Sequence, residues 1–300
     1  MTGDTTAPQP RLGICISEFP QDDQGRWRNA GDVVQRVEAS GADGLWLADH
    51  ILWHSKAIDA QSTLPVLASH ATSITIGSCV LQMPLRDPVT VAKTFANTQM
   101  MAPGRVVCGL GIGENVEEYE RLGKSMATRG RVIEESIDEI RRIWSQEGGT
   151  RWMNPAPVDI PIWVGGRAEA ARRRAARMGD GWLPYLCSPR WFGRHRALME
   201  EEAAEAGRDH HDITKAVVTF VDVPSVESAQ QGEAKLEHWF GFDPTPLLGF
   251  LLRGSAEEVA QQLHEYVDQG ASEVIVVIAN DRPLDVLDQL APAFAAISAA

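Results

Sequence analysis

From Leu12 onward, short continuous apolar runs alternate with longer stretches in which apolar residues recur at helical spacing. Residues 12–17 form the first such run, and NAGDVVQRVEASGAD then places Val33, Val34, Val37 and Ala39 on one helical face before Gly41 ends it. The unit recurs along the chain. Strands are predicted at 44–48, 74–81 and 105–110, with helices at 62–71, 88–101 and 129–144 between and after them. The second half continues with strands at 160–164, 181–184, 213–221 and 273–279 and helices at 168–178, 189–206, 255–267 and 284–297.

Eight strands alternating with helices, many of them apolar throughout, predict a parallel sheet covered by helices on its outer face. Strand starts near 12, 44, 74 and 105 are about thirty residues apart, the period of repeated strand-helix units, so the fold class expected is α/β, a TIM-like (β/α)8 barrel. Residues 1–10 read as a flexible N-terminal segment and 11–300 as one domain, with insertions near 145–159 and 222–254 that are too short to build a second core. In the later insertion a short helix is expected at 235–240. The apolar patch at 247–252 reads either as a pocket cover or as a homodimer contact.

Charge narrows the partners. With 28 basic against 41 acidic residues and a net charge of -13, the chain is a poor match for a nucleic-acid or anionic-membrane surface, and a small-molecule substrate is expected instead. The four cysteines, Cys15, Cys79, Cys108 and Cys187, follow neither metal-ligand spacing nor the density of a disulfide scaffold. The polar, proline-interrupted start and the shortness of every apolar run predict a cytoplasmic protein.

In such a barrel the loops after the strands converge at one mouth, so residues remote in sequence can share a site. Asp49 and His50 directly follow the apolar GLWLA run, where an imidazole oriented by a carboxylate can exchange a proton; a structural pair satisfying the loop is the other reading of the segment. His54 stands four residues on, without the HExxH pattern of a zinc site, so no metal is expected. GLGIGEN, at 109–115, lacks the last spacing of a dinucleotide fingerprint, yet its glycines permit a tight turn that brings Glu114 to the mouth. Gly165 and Gly166 end a strand just before a helix whose first amides could receive phosphate, while most of the following arginine run reads as a solvated face. Trp53 and Trp182 could wall a conjugated ring, Glu18 could stand as an acid after the first strand, and the HHD run at 210–212 belongs to a solvated loop at the opposite end.

Taken in order, DGLWLADH, the segment at 74–123 from ITIGSCVLQMPLRDP to YERLG, and PIWVGGRAEAARRRAARMGDGWLP resemble the bacterial luciferase-like family, especially its coenzyme F420-dependent oxidoreductases. The resemblance covers nearly the whole chain and looks closest to the sugar-phosphate dehydrogenase and related reductase branches. It implies hydride transfer between F420 and a small organic substrate, with His50 as the active-site histidine supported by Asp49, Glu114 as the acid after the glycine turn, and Glu18 as an acid after strand one. It also implies a non-prolyl cis peptide at Cys79-Val80 backing the cofactor ring, and phosphate-side contacts from Gly111, Gly113, Asn115, Gly165 and Gly166. Trp53 lies one position closer to His50 than the comparable tryptophan of the family. The alternatives are an FMN-dependent monooxygenase served by a partner reductase, and a non-catalytic flavin- or F420-binding protein.

Overall fold

The structure, a computed structural model, describes residues 9–22, 24–145, 159–223 and 231–298. Most of the insertion expected near 145–159 and of the N-terminal segment at 1–10, together with 224–230 of the later insertion, lies outside the described residues. Eight parallel strands close on themselves: β1 (Arg11–Ile16), β2 (Gly44–Leu47), β3 (Thr75–Ser78), β5 (Val106–Gly111), β6 (Ile162–Gly165), β7 (Gly181–Leu183), β8 (Thr214–Asp222) and β10 (Glu273–Ile278), with β10 pairing both β1 and β8. The short β4 (Leu81–Gln82) continues the line of β3 beside β5, and β9 (Leu251–Arg253) flanks β8. The closed (β/α)8 barrel expected from the pattern is therefore present.

Outward-facing strand residues such as Leu12, Ile14, Leu45, Leu47, Val274 and Val276 are buried beneath the helices, which explains why the strands read as continuous apolar runs. Helix α3 (Pro88–Met101) shows how each helix earns its place. Asp87 caps it by accepting from Thr90 N, Pro88 takes the first turn where its missing N–H costs nothing, and Val91, Ala92, Phe95 and Ala96 form the buried stripe. Truncating Phe95, fully buried, would cost about 3–5 kcal/mol. Helix α9 (Ala256–Asp268) opens on a reciprocal capping box between Ser255 and Glu258.

The barrel interior is a separate packed layer. Trp46 and Trp163 stack there with ring centroids 4.9 Å apart, and glycines on neighbouring strands make the room. A Cβ on Gly77 would stand 2.4 Å from Trp46, and one on Gly181 2.5 Å from Trp163. Above these rings lie Val218, Phe220, Leu247 and Leu251, so part of the apolar patch of the later insertion is spent on the barrel's own interior.

Three differences from the sequence reading bear on function. A short helix, α4 (Val116–Arg121), follows the glycine turn where none was expected. The helix expected at 235–240 is longer, α8 (Gly232–Phe240), and lies at the mouth. Trp182 is fully buried in the outer layer against Phe192, donating to the Gly166 carbonyl, and so walls no ligand site. Among the described residues no helix is long and apolar enough to cross a membrane.

Candidate active site at the barrel mouth

All strands of a parallel barrel deliver their following loops to the same end, and Glu18, His50, Glu114, Gly166 and Tyr185 each lie one to three residues beyond a strand. His50 is the centre of the arrangement. Its ring Nδ1 is 3.1 Å from Glu118 Oε2 and 2.9 Å from Gln82 Nε2, and the indole of Trp53 stacks on it at 3.9 Å, 23° from parallel. Glu118, carried by α4, is fully buried, and its Oε1 accepts from the backbone amides of Ile51 at 2.7 Å and Leu52 at 2.9 Å. Burial alone would push this carboxyl up, but the hydrogen bonds from His50 and from the loop amides outweigh it and hold the group below its ordinary value, as a carboxylate.

The carboxylate supporting His50 is thus Glu118, not Asp49. Neighbours along an extended chain point to opposite sides. The Asp49 side chain turns away from the mouth, where Arg86 grips it through Nη2 at 2.6 Å and Nε at 3.2 Å and the amides of Ala60 and Gln82 donate to it. Burial pushes the Asp49 carboxyl up and Arg86 draws it back. Arg86 also reaches Asp59, the cap of α2 (Ala60–Ala68), so Asp49 anchors the loop on which His50 stands.

The remaining expected residues divide by what their side chains meet. Cys79-Val80 is a cis peptide. Gly111 and Gly165 face Val80, where a Cβ on either would come within 2.3 Å and 2.5 Å of its methyl groups, so both glycines serve first to seat Val80. Gly113 adopts φ 66° and leaves room for the Gln82 amide. The Gly166 amide is bonded to the Leu183 carbonyl, while the amides from Arg167 to Ala170, leading into α6 (Glu169–Met178), have no hydrogen-bond partner among the described residues. Asn115 caps α4, accepting from Glu117 N and donating to the Leu52 carbonyl, and so ties α4 to the His50 loop.

Glu114 is exposed at the mouth, with the Tyr185 hydroxyl 3.5 Å from both its oxygens, longer than a good O–H···O bond. Burial, with the charge of Glu114 beside it, pushes Tyr185 up to about 12, so its hydroxyl stays a donor. Glu18 lies on the other side, bonded to Lys235 Nζ and His238 Nε2 of α8, each at 3.0 Å. Burial raises the Glu18 carboxyl and these two partners more than offset it, so it sits below its usual range. Beneath α8, between β1 and β10, opens a cavity of about 630 Å³ lined by Ser17, Glu18, Lys235 and Trp239 among others. Ser17 Oγ and Trp239 Nε1, both buried, have no hydrogen-bond partner among the described residues.

Glu118, Gln82, Tyr185 and the α8 pair Lys235 and His238 were not singled out as chemistry by the sequence reading. For Glu118 the signal was Asn115 followed by two acids, the start of a capped helix.

Comparison with known proteins agrees with this architecture. An F420-dependent glucose-6-phosphate dehydrogenase of Kineococcus radiotolerans is 30% identical over 59% of this chain and 56% of its own length. The chain spans little more than half the length of the first curated relatives it matches. Among solved structures, an F420-dependent secondary alcohol dehydrogenase in complex with an F420-acetone adduct superposes with a TM-score of 0.81 over 96% of this chain and 99% of that one at 19% identity. A monooxygenase from Streptomyces bottropensis does so with 0.79 over 95% and 98% at 16% identity. Both share the fold. Residues 11–246 match the family described as luciferase-like monooxygenase, and with that match the chain belongs to this family.

Proposed function

We propose that the chain is a coenzyme F420-dependent oxidoreductase that transfers a hydride between the deazaflavin and a small organic substrate. The observation that carries this reading is the presentation of His50 at the mouth, backed by a buried carboxylate and covered on one face by Trp53. Hydride transfer at an alcohol or carbonyl carbon requires a proton to leave or reach the oxygen, and a fixed imidazole is suited to that task near neutral pH. Relatives in sequence whose names specify F420, including the sugar-phosphate dehydrogenase above, support the choice of cofactor.

The residues at the mouth fit such a group. Val80, seated between two glycines, and Trp239 offer apolar surface, while Ser17 Oγ and Trp239 Nε1 are buried polar atoms that a ring edge could satisfy. The opening amides of α6 suit a phosphate, and Glu169 there is already paired with Arg173 at 2.7 Å. A bound deazaflavin supplies the two-electron chemistry. In the oxidising direction His50 takes the substrate proton and in the reducing direction returns it. Glu114, on the glycine turn, provides a charged group to the cofactor side, with Tyr185 beside it.

An FMN-dependent monooxygenase is the second reading, favoured by the family's own description and by the close fold of the Streptomyces enzyme. Parallel titration of the purified protein with F420 and FMN, oxidised and reduced, separates them. Selective saturable F420 binding with anaerobic turnover is the expected result. Selective FMN binding with oxygen consumption, dependent on a partner reductase, replaces the proposal, and binding without any turnover that leaves His50 substitutions silent replaces it with a carrier protein.

A further inference from the structure

We propose that Glu118 is a positioning residue that fixes the tautomer of His50, holding the proton on Nδ1 so that Nε2 is the bare nitrogen offered to the substrate. This rests on the reading of His50 as the proton-transfer group, and it assigns which atom of the ring does the work.

The donors and acceptors around the ring decide where its proton sits. Two groups approach Nδ1, and they ask for opposite things. Glu118 Oε2, 3.1 Å away, belongs to a buried carboxylate that can only accept, so it requires a proton on Nδ1. Gln82 Nε2, 2.9 Å away, can only donate and would suit a bare Nδ1. A proton on Nδ1 deprives one of the two Gln82 N–H groups, a neutral donor, of its acceptor, while the other keeps its outlet in the Asp49 carbonyl at 2.8 Å. Glu118 has none. Its other oxygen is committed to the Ile51 and Leu52 amides, and with Nδ1 bare, two acceptors would face each other at 3.1 Å with no water between them. A hydrogen bond to a buried carboxylate also outweighs one from a neutral amide, by roughly a factor of two. The ring therefore settles with its proton toward Glu118. Trp53 on its face prevents the ring from tilting out of this line.

The same donors and acceptors decide what happens when the charge is removed. In Glu118→Gln the side-chain oxygen can keep the two loop amides, which leaves the new NH2 group pointing at Nδ1. Both neighbours of Nδ1 are then donors. The ring must move its proton to Nε2, the atom that was to accept one, and the histidine is left in place with the wrong tautomer. No change of size accompanies the switch, so the fold of the loop is retained.

The test is a long-range proton-nitrogen correlation spectrum of protein carrying 15N-labelled histidine, with the His50 signals identified by their loss in His50→Asn. In the wild type, Nδ1 is expected to show the shift of a proton-bearing nitrogen and Nε2 that of a bare one; in Glu118→Gln the two exchange. Steady-state hydride transfer should fall roughly a hundredfold in kcat, with KM and the F420 dissociation constant changed by no more than about threefold, and Glu118→Asp should recover part of the loss. A bare Nδ1 in the wild type overturns the proposal, as does a Glu118→Gln protein with unchanged tautomer. Because the spectrum is read without cofactor, it judges the tautomer even if the F420 reading fails. The wild-type spectrum alone decides it should the variant not fold.

Discussion

Trp53 stacks on the His50 ring and, through its indole N–H, donates to the backbone carbonyl of Trp239 at 2.7 Å. One side chain therefore contacts both the His50 ring and the insertion helix above it. His54, next in line, reaches the His238 carbonyl at 2.9 Å, so the β2 loop satisfies two of the last carbonyls that α8 leaves open at its C-terminal end. The other end of α8 is held by Asp222, which accepts from Gly232 N, and its middle by the pairing of Lys235 and His238 with Glu18.

Trp53→Phe keeps an aromatic face on His50 and removes the N–H that holds α8. The expected result is faster amide hydrogen exchange in 236–240 by about fivefold, from the loss of one hydrogen bond worth roughly 1 kcal/mol, with kcat nearly unchanged. Exchange at the wild-type rate would show that the Trp53 bond does not hold α8 against opening.

Replacing His50 with asparagine removes the imidazole and leaves a polar side chain beside Glu118. Turnover with F420 should fall by about 10² to 10⁴, while F420 affinity, measured by fluorescence titration, stays near the wild-type value. Unchanged turnover would remove His50 from the chemistry and leave it a loop residue.

Val80 and its two facing glycines form a close-packed trio. A methyl group on Gly165 would stand 2.5 Å from Val80 Cγ1 but 3.4 Å from its Cβ. Gly165→Ala should therefore cost about 1–3 kcal/mol by overpacking and weaken cofactor binding through displacement of Val80. Adding Val80→Ala should recover most of the stability, which a double-mutant cycle in denaturant measures. If the second substitution simply adds its own loss, the glycine is there for another reason.

These contacts show what a sequence can and cannot announce. The strands and the long helices were legible because burial on both faces leaves continuous apolar runs and because α5 (Arg129–Trp144) and α9 carry clear stripes. His50 was legible as a polar break at the end of such a run. Glu118 was not, since VEEYER is too short to show a stripe and its partner lies 68 residues away. Asp49 misled by adjacency, because an extended backbone sends neighbouring side chains apart. Gly165 reads as a phosphate turn in the sequence, and only the fold reveals that its missing side chain is filled by Val80.

At the opposite end of the barrel, Glu273 opens β10 with a carboxyl that is almost wholly buried. Its Oε1 has no partner among the described residues, and Arg11 approaches the other oxygen only to 3.8 Å. Burial raises this group from 4.5 to about 7, against the weaker pull of Arg11. The folded protein therefore holds a proton that the unfolded chain releases above pH 4.5, so this group's contribution to stability is fully present below that value and is lost as pH rises through about 7. The shift amounts to roughly 3 kcal/mol as an upper bound. Glu273→Gln abolishes the titration. Relative to the wild type, the variant should gain stability between pH 5 and pH 8, by up to about that amount, in urea unfolding at the two values. An equal difference between the two proteins at both pH values would mean that the carboxyl is already ionised at pH 5 in the native state, with water or Arg11 supplying what the structure leaves open.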